Sequence, residues 1–281
     1  MLEREEYVEQ AHFFRVIAER LQENLPLQDL LAQVREELLA TTKLPLAVSY
    51  LLDELKHSGV VHPAMARMPH YFTGFQTYLL REAENDRSRF DYRTALEVLR
   101  FEAQYRAEGA RAQGLFLYQF ETLCRNRLGY DHGLAAIATD PIYDKLWREW
   151  IMSVRRRLGT IDIADLIFVR SEYYVTLRER NPDAREEESL PVLFGDKEGR
   201  IALANRRKDP LYLFAALQRQ LGYPAVPRRK IVEDSRYQVP ALVRRIEQFE
   251  SRLKLLEDDQ RGGFDLTKFY ARPDQPPQDV G

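Results

Sequence analysis

DPIYDKLWREWIMSVRRRLG, residues 140–159, is the stretch on which the fold class turns. Asp140-Pro141 pairs a capping residue with a proline at a first helical position, where the missing N–H costs no hydrogen bond. Behind it Ile142, Leu146, Trp147, Trp150, Ile151, Val154 and Leu158 recur at helical spacing until Gly159 ends the run. A helix with so wide an apolar stripe has to bury it against other helices.

The same grammar extends upstream. Tyr7, Ala11, Phe14, Ala18 and Leu21 mark a helix over about residues 4–24. Pro26 opens a second with Leu27, Leu30, Leu31, Val34 and Leu38 on its inner face, and Pro45 a third with Val48, Leu51, Leu52 and Leu55 inward and Gly59 at its end. A fourth runs from Pro63 or Pro69 to Asn85, a fifth is capped by Asp91, and a sixth covers Ala112 to Leu128. Downstream, Ile161 to Leu177 mixes β-branched and aromatic residues with helical spacing, and is read as helix.

The pattern changes after residue 180. Asn181 to Ser189 is a polar, acidic loop that sets a boundary. Val192 and Phe194 alternate, Gly195-Asp196-Lys197-Glu198-Gly199 supplies turn residues, and Ile201 and Leu203 alternate again, which predicts a β-hairpin. Asp209-Pro210 then opens a helix closed by Gly222. The predicted fold is mainly α: an irregular multi-helix bundle over 1–180, a small basic β-hairpin/helix module over 190–238, an amphipathic C-terminal helix over 239–260 and a flexible tail over 261–281.

Composition narrows the function classes. The 281 residues carry 42 Lys+Arg against 44 Asp+Glu and one cysteine, which excludes a disulfide framework within the chain and a Cys-rich zinc site. Met1 to Glu6 is acidic and no apolar run of signal-peptide or membrane-spanning length follows, so the expected compartment is the cytoplasm, without membrane contact. The near-neutral total hides an asymmetry. Residues 1–100 hold 12 basic and 16 acidic side chains, whereas 191–245 hold 12 basic and 5 acidic.

Three constellations could carry function. Arg206, Arg207 and Lys208 and Arg228, Arg229 and Lys230 are the densest basic clusters, and with Tyr212, Phe214, Tyr223 and Tyr237 interleaved they suit phosphate contacts. The plainer use is pairing with the acidic half of the chain. Leu242, Ile246, Phe249, Leu253 and Leu256 form a heptad seam for a partner helix. Two Glu-x-x-His sequences, Glu9 with His12 and Glu54 with His57, match the spacing used by di-iron or di-manganese carboxylate bundles, with Glu97, Glu102 and Glu121 as candidate further ligands. No nucleophile elbow, phosphate loop or dinucleotide fingerprint is present, and Cys124 lies in an apolar run that suits an inert thiol.

These residues predict a non-enzymatic cytoplasmic interaction or scaffold protein, acting on a protein partner or by self-association through the basic module and the seam, and needing no cofactor. Nucleic-acid or anionic-surface binding by residues 191–245 is the first alternative, and a di-metal enzyme the second.

Overall fold

The computed structural model describes residues 1–23, 25–85, 90–180 and 190–228. Thirteen α-helices run through them: α1 Arg4–Arg20, α2 Leu27–Glu37, α3 Leu44–Ser58, α4 His62–Arg67, α5 Gly74–Ala83, α6 Tyr92–Ala107, α7 Ala112–Arg125, α8 Tyr130–Ala138, α9 Lys145–Arg157, α10 Ile163–Phe168, α11 Glu172–Glu179, α12 Asp196–Ala204 and α13 Pro210–Leu221. The protein is mainly helical, as its periodicity predicts. No described helix is long and apolar enough to cross a membrane.

Local chemistry sets the boundaries. Thr73 and Gln76 form a reciprocal capping box on α5, which splits the predicted fourth helix in two. Asp91, Asp162, Ser171 and Asp209 cap α6, α10, α11 and α13 through their side chains. Gly59 and Gly222 end α3 and α13 in the left-handed region, at φ 78° and 70°.

Helix α7 is the central element, buried continuously from Gly114 to Leu123. Phe116 and Phe120 stack on it with ring centroids 5.7 Å apart, and Trp147, Trp150, Phe194 and Phe214 close around them. On the opposite flank α1 lies along α6, and α2 to α5 complete the bundle.

Two expectations are corrected. Asp140-Pro141 does not start α9; the cap is Asp144, whose side chain accepts the Trp147 N–H at 2.9 Å. Asp140 turns inward instead, where it joins Glu102 in binding the guanidinium of Arg106, all three side chains being fully buried. Gln119 donates to Glu102 at 2.7 Å and accepts from the Tyr143 hydroxyl at 2.8 Å, extending the network from α6 to α7.

The second correction is the hairpin. Residues 196–204 form α12, and Phe194 makes a single β-bridge with Ser171. Asp196 and Glu198 lie in the first turn of α12, where the helix dipole favours carboxylates. Gly199 serves close approach rather than a turn, since a Cβ there would lie 2.2 Å from Ser171 Oγ. In the described part of the expected module, α12 packs on α10 and α11 and α13 on α7, within one compact unit. The rest of the expected module, the 239–260 helix and the 261–281 tail lie outside the described residues.

Candidate functional site

The two Glu-x-x-His pairs do not make a metal centre. Glu9 is buried and accepts the Leu39 N–H at 2.7 Å, beyond the end of α2. His12 Nδ1 lies 3.2 Å from an Arg15 guanidinium nitrogen. Glu54 pairs with Arg67 at 2.7 Å, and His57 is exposed in the last turn of α3. Glu102 is committed to Arg106, and Glu121 to Arg125 and the Tyr223 hydroxyl. Among the described residues no three His, Cys, Asp or Glu side chains form a group that could hold a metal ion. The i,i+3 spacing puts each pair on one helix face, but the two faces meet different neighbours.

The basic clusters are partly committed too. Arg206 pairs with Asp165 through Nε, and its guanidinium lies 5.4 Å over the Phe168 ring. Arg207 adopts a left-handed φ of 57°, and its backbone N–H donates to Asp162 at 2.7 Å. The acid that neutralises Arg206 therefore comes from α10, not from the acidic first hundred residues. The Arg207, Lys208 and Arg228 side chains are exposed. Arg229, Lys230 and the seam residues Leu242, Ile246, Phe249, Leu253 and Leu256 lie outside the described residues.

A better-formed site lies on the N-terminal half, built on a buried polar row of α1. Glu6 accepts the Lys43 backbone N–H at 2.9 Å with one oxygen and the Tyr71 hydroxyl at 2.8 Å with the other. Gln10 donates to the Tyr71 carbonyl at 3.3 Å and accepts from Gln76 at 3.4 Å. The start of α3 and the α4–α5 connection are thus held at fixed positions by one helix. Between them lies a groove of ≈ 490 Å³, lined by Leu46, Ala47, Tyr50, Ala64, Met68 and Tyr71, with Lys43, Arg67 and His70 at its edge.

No protein-family profile, curated protein or solved structure matches this chain. The reading of the site therefore rests on its chemistry.

Two residues give the groove its character. Leu46 and Tyr50, one helical turn apart on α3, are 65 % and 58 % exposed. The buried stripe of α3 is Leu44, Ala47, Val48, Leu51, Leu52 and Leu55, so Leu46 and Tyr50 form a second apolar line facing outward. The periodicity of the sequence holds that signal as two large apolar residues out of phase with the stripe, but sequence reasoning passed over them. The Tyr71 hydroxyl is held protonated well beyond the usual phenol range, first by burial and then by its bond to Glu6. It is a structural donor, not an acid for catalysis.

The other large cavity, ≈ 520 Å³ between α5 and α8, is differently built. Its hydroxyls serve their own backbone: Thr77 donates to Thr73, Tyr78 to Gly129 and Thr139 to Ala136. Cys124, read from its apolar run as an inert thiol, has that thiol pushed up to about 12, mainly by burial.

Proposed function

We propose that this protein is a non-enzymatic interaction protein whose α3–α4 groove takes an acidic amphipathic helix of a partner. The observation that carries this reading is the exposed Leu46–Tyr50 line beside a preformed groove. Large apolar side chains exposed together along a concave surface mark interaction sites on soluble proteins. A groove of this kind receives a helix through apolar anchors at i, i+3 or i+4, and i+7. The lining contributes Lys43, Arg67 and His70 and no carboxylate; Arg67 is already paired with Glu54, so Lys43 and His70 carry the preference for acidic residues beside the anchors. Fixing Lys43 and Tyr71 through Glu6 lowers the ordering cost of binding.

The basic C-terminal segment and the Leu242–Leu256 seam, both read from sequence, fit the same scaffold role as further contacts. The lone thiol suits work in the cytoplasm. Phosphate binding by residues 191–245 has less support, because Asp165 already pairs with Arg206.

The test is fluorescence anisotropy of the full chain with a labelled helical peptide bearing leucine anchors and glutamate shoulders, against a copy with lysine shoulders. The acidic peptide binds with a Kd on the order of 10 μM. Leu46→Asp together with Tyr50→Asp, both at exposed positions, weakens it at least about tenfold. Equal binding of the two peptides, or binding unchanged in the double variant, overturns the reading. So does a dimer in light scattering that this variant dissolves, because a second copy would then fill the groove.

A further inference from the structure

The cavity between α5 and α8 is a second concave site and shares no lining residue with the groove. Its ≈ 520 Å³ falls within the range of pockets that enclose small molecules. Buried Met65, Phe72 and Tyr78 line it from α4 and α5, and Ala135, Ala136 and Pro141 from α8 and its exit. Space between packed helices is ordinarily filled by side chains, so an opening of this size needs something to keep it.

Fixed contacts on each wall keep it. At one end α5 meets α8 through Gly74, where a Cβ would stand 2.2 Å from Thr139 Oγ1 and 2.9 Å from the Ala136 carbonyl oxygen. The helices already touch there and cannot close further on the cavity. Helix α8 is also seated tightly on α7, since a Cβ on Gly133 would lie 2.6 Å from Leu123 Cδ1. The α4–α5 connection is held by α1, because Tyr71 bonds Glu6 through its hydroxyl and Gln10 through its carbonyl. Between these anchors, the small side chains of Ala135 and Ala136 leave room that larger ones would fill.

The polar groups of the lining are unevenly committed. Thr77, Tyr78 and Thr139 donate their hydroxyl protons to the Thr73, Gly129 and Ala136 carbonyls, and Thr73 Oγ1 accepts the Gln76 N–H. The strongest donors left to a ligand are Arg81 and His132, both exposed at the edge, and the lining holds no carboxylate among the described residues. Arg81 meets Glu82 through one guanidinium nitrogen at 3.3 Å, an exposed contact of small weight that leaves other N–H donors unused. Its guanidinium lies 5.2 Å from the centre of the Tyr78 ring, which keeps it against the cavity wall. Asp131, next to His132, is engaged by Arg155 at 2.6 and 2.8 Å.

We infer that this cavity binds a small monocarboxylate with an apolar body, its carboxylate against Arg81 and His132 and its body between the α4–α5 connection and α8. The guanidinium fork matches a carboxylate in charge and shape. Met65, Phe72 and the two alanines of α8 offer apolar surface to the body, and the bonded hydroxyls require nothing from it. A cationic head would meet Arg81 without an acid in the lining to receive it.

Isothermal titration of the full chain with 4-phenylbutanoate, 4-phenylbutanamide and 4-phenylbutylamine tests this, because the three share one body and differ in the charge of the head. The carboxylate binds saturably with a Kd on the order of 0.1–1 mM, the amide at least about tenfold more weakly and the amine not measurably. Arg81→Gln, at an exposed position, weakens the carboxylate at least about tenfold. Ala135→Leu, which fills the space from α8, does the same with its helical circular dichroism retained; if that variant fails to fold, Arg81→Gln decides alone. Leu46→Asp together with Tyr50→Asp leaves the affinity unchanged, which separates the cavity from the groove and its basic edge. Failure of the carboxylate to saturate, equal binding of carboxylate and amide, or unchanged affinity in Arg81→Gln or in folded Ala135→Leu overturns the assignment. Loss of affinity in the Leu46 and Tyr50 double variant overturns it too, since the carboxylate would then be seated in the groove.

Discussion

Arg106 shows how far a single side chain can depart from what its neighbours in sequence suggest. It lies on α6 four residues after Glu102, a spacing that reads as an ordinary surface ion pair. In the fold it is completely buried, and Asp140 arrives from 34 residues away to share it. Its guanidinium also lies 5.8 Å from the centre of the Tyr7 ring, which ties α1 to the same point. Removing the cation leaves two buried carboxylates facing each other, and breaking a buried pair in this way costs about 3–5 kcal/mol. Arg106→Ala is expected to lose that much unfolding free energy in guanidinium denaturation, with loss of cooperativity if the α6–α7 contact opens. A loss below about 1 kcal/mol would show that water reaches the site and screens it. None of this was legible in the sequence, because Asp140 stands before a proline and satisfies the pattern of a helix cap. Asp140 does bond the Ile142 N–H, at 3.1 Å, so the local rule holds while the tertiary role outweighs it.

At the scale of elements, α12 is the most instructive. Its sequence offers alternating apolar residues around a glycine-bounded polar run, and a period of two cannot be separated from a helix over so few positions. Of its apolar side chains, Leu193 and Phe194 before the helix and Ala202 within it are the buried ones. The discriminating fact is a contact with Ser171 that no local pattern encodes. It yields a prediction whose sign separates the two structures. In an exposed helix Gly199→Ala would stabilise by up to about 1 kcal/mol. Here the new methyl meets Ser171 Oγ at 2.2 Å and Tyr173 Cβ at 2.8 Å, so the variant is expected to be destabilised by about 1–3 kcal/mol. Thermal unfolding by circular dichroism decides it, and a rise in midpoint would refute the close packing of α12 on α11. The elements legible in advance were those with both a stripe and a stop. Helices α1, α2, α3, α6 and α13 begin and end close to their predicted limits. Helix α8 escaped because its nine residues offer neither a side-chain cap nor a terminal glycine. The groove escaped for a related reason: reading for the buried stripe of α3 discards Leu46 and Tyr50, which matter because they are off it.

At the scale of the whole molecule the helices share a feature with a measurable consequence: the interior is sealed with phenols. Tyr71, Tyr118, Tyr143 and Tyr223 are each at most 4 % exposed, and burial is the first cause raising the pKa of every one of them. Each also has a carboxylate nearby that adds to the shift, such as Glu6 for Tyr71 and Glu121 for Tyr223. Burial of Cys124 acts the same way on its thiol, raised to about 12 from 9.0. In the folded protein these groups keep their protons, whereas in the unfolded chain the thiol releases its proton near 9.0 and the phenols near 10.0. Above those values the unfolded state binds fewer protons than the folded one, so the folded state loses ground as pH rises. Below about pH 8.5 both states are protonated and these groups leave stability flat with pH. Each phenol fully ionised in the unfolded state alone contributes a loss of about 1.4 kcal/mol per pH unit. Four acting together would consume most of the 5–15 kcal/mol typical of a domain within about two pH units. Urea midpoints measured from about pH 8 to 11 are therefore expected to hold level and then fall steeply. The part of the ultraviolet phenolate signal that belongs to the buried rings should appear only together with loss of helix, after the exposed rings such as Tyr50 and Tyr212 have ionised. Phenolate in excess of what the exposed rings supply, with the helical signal intact, would mean that the buried rings open to solvent without unfolding, and that the core is looser than its packing implies.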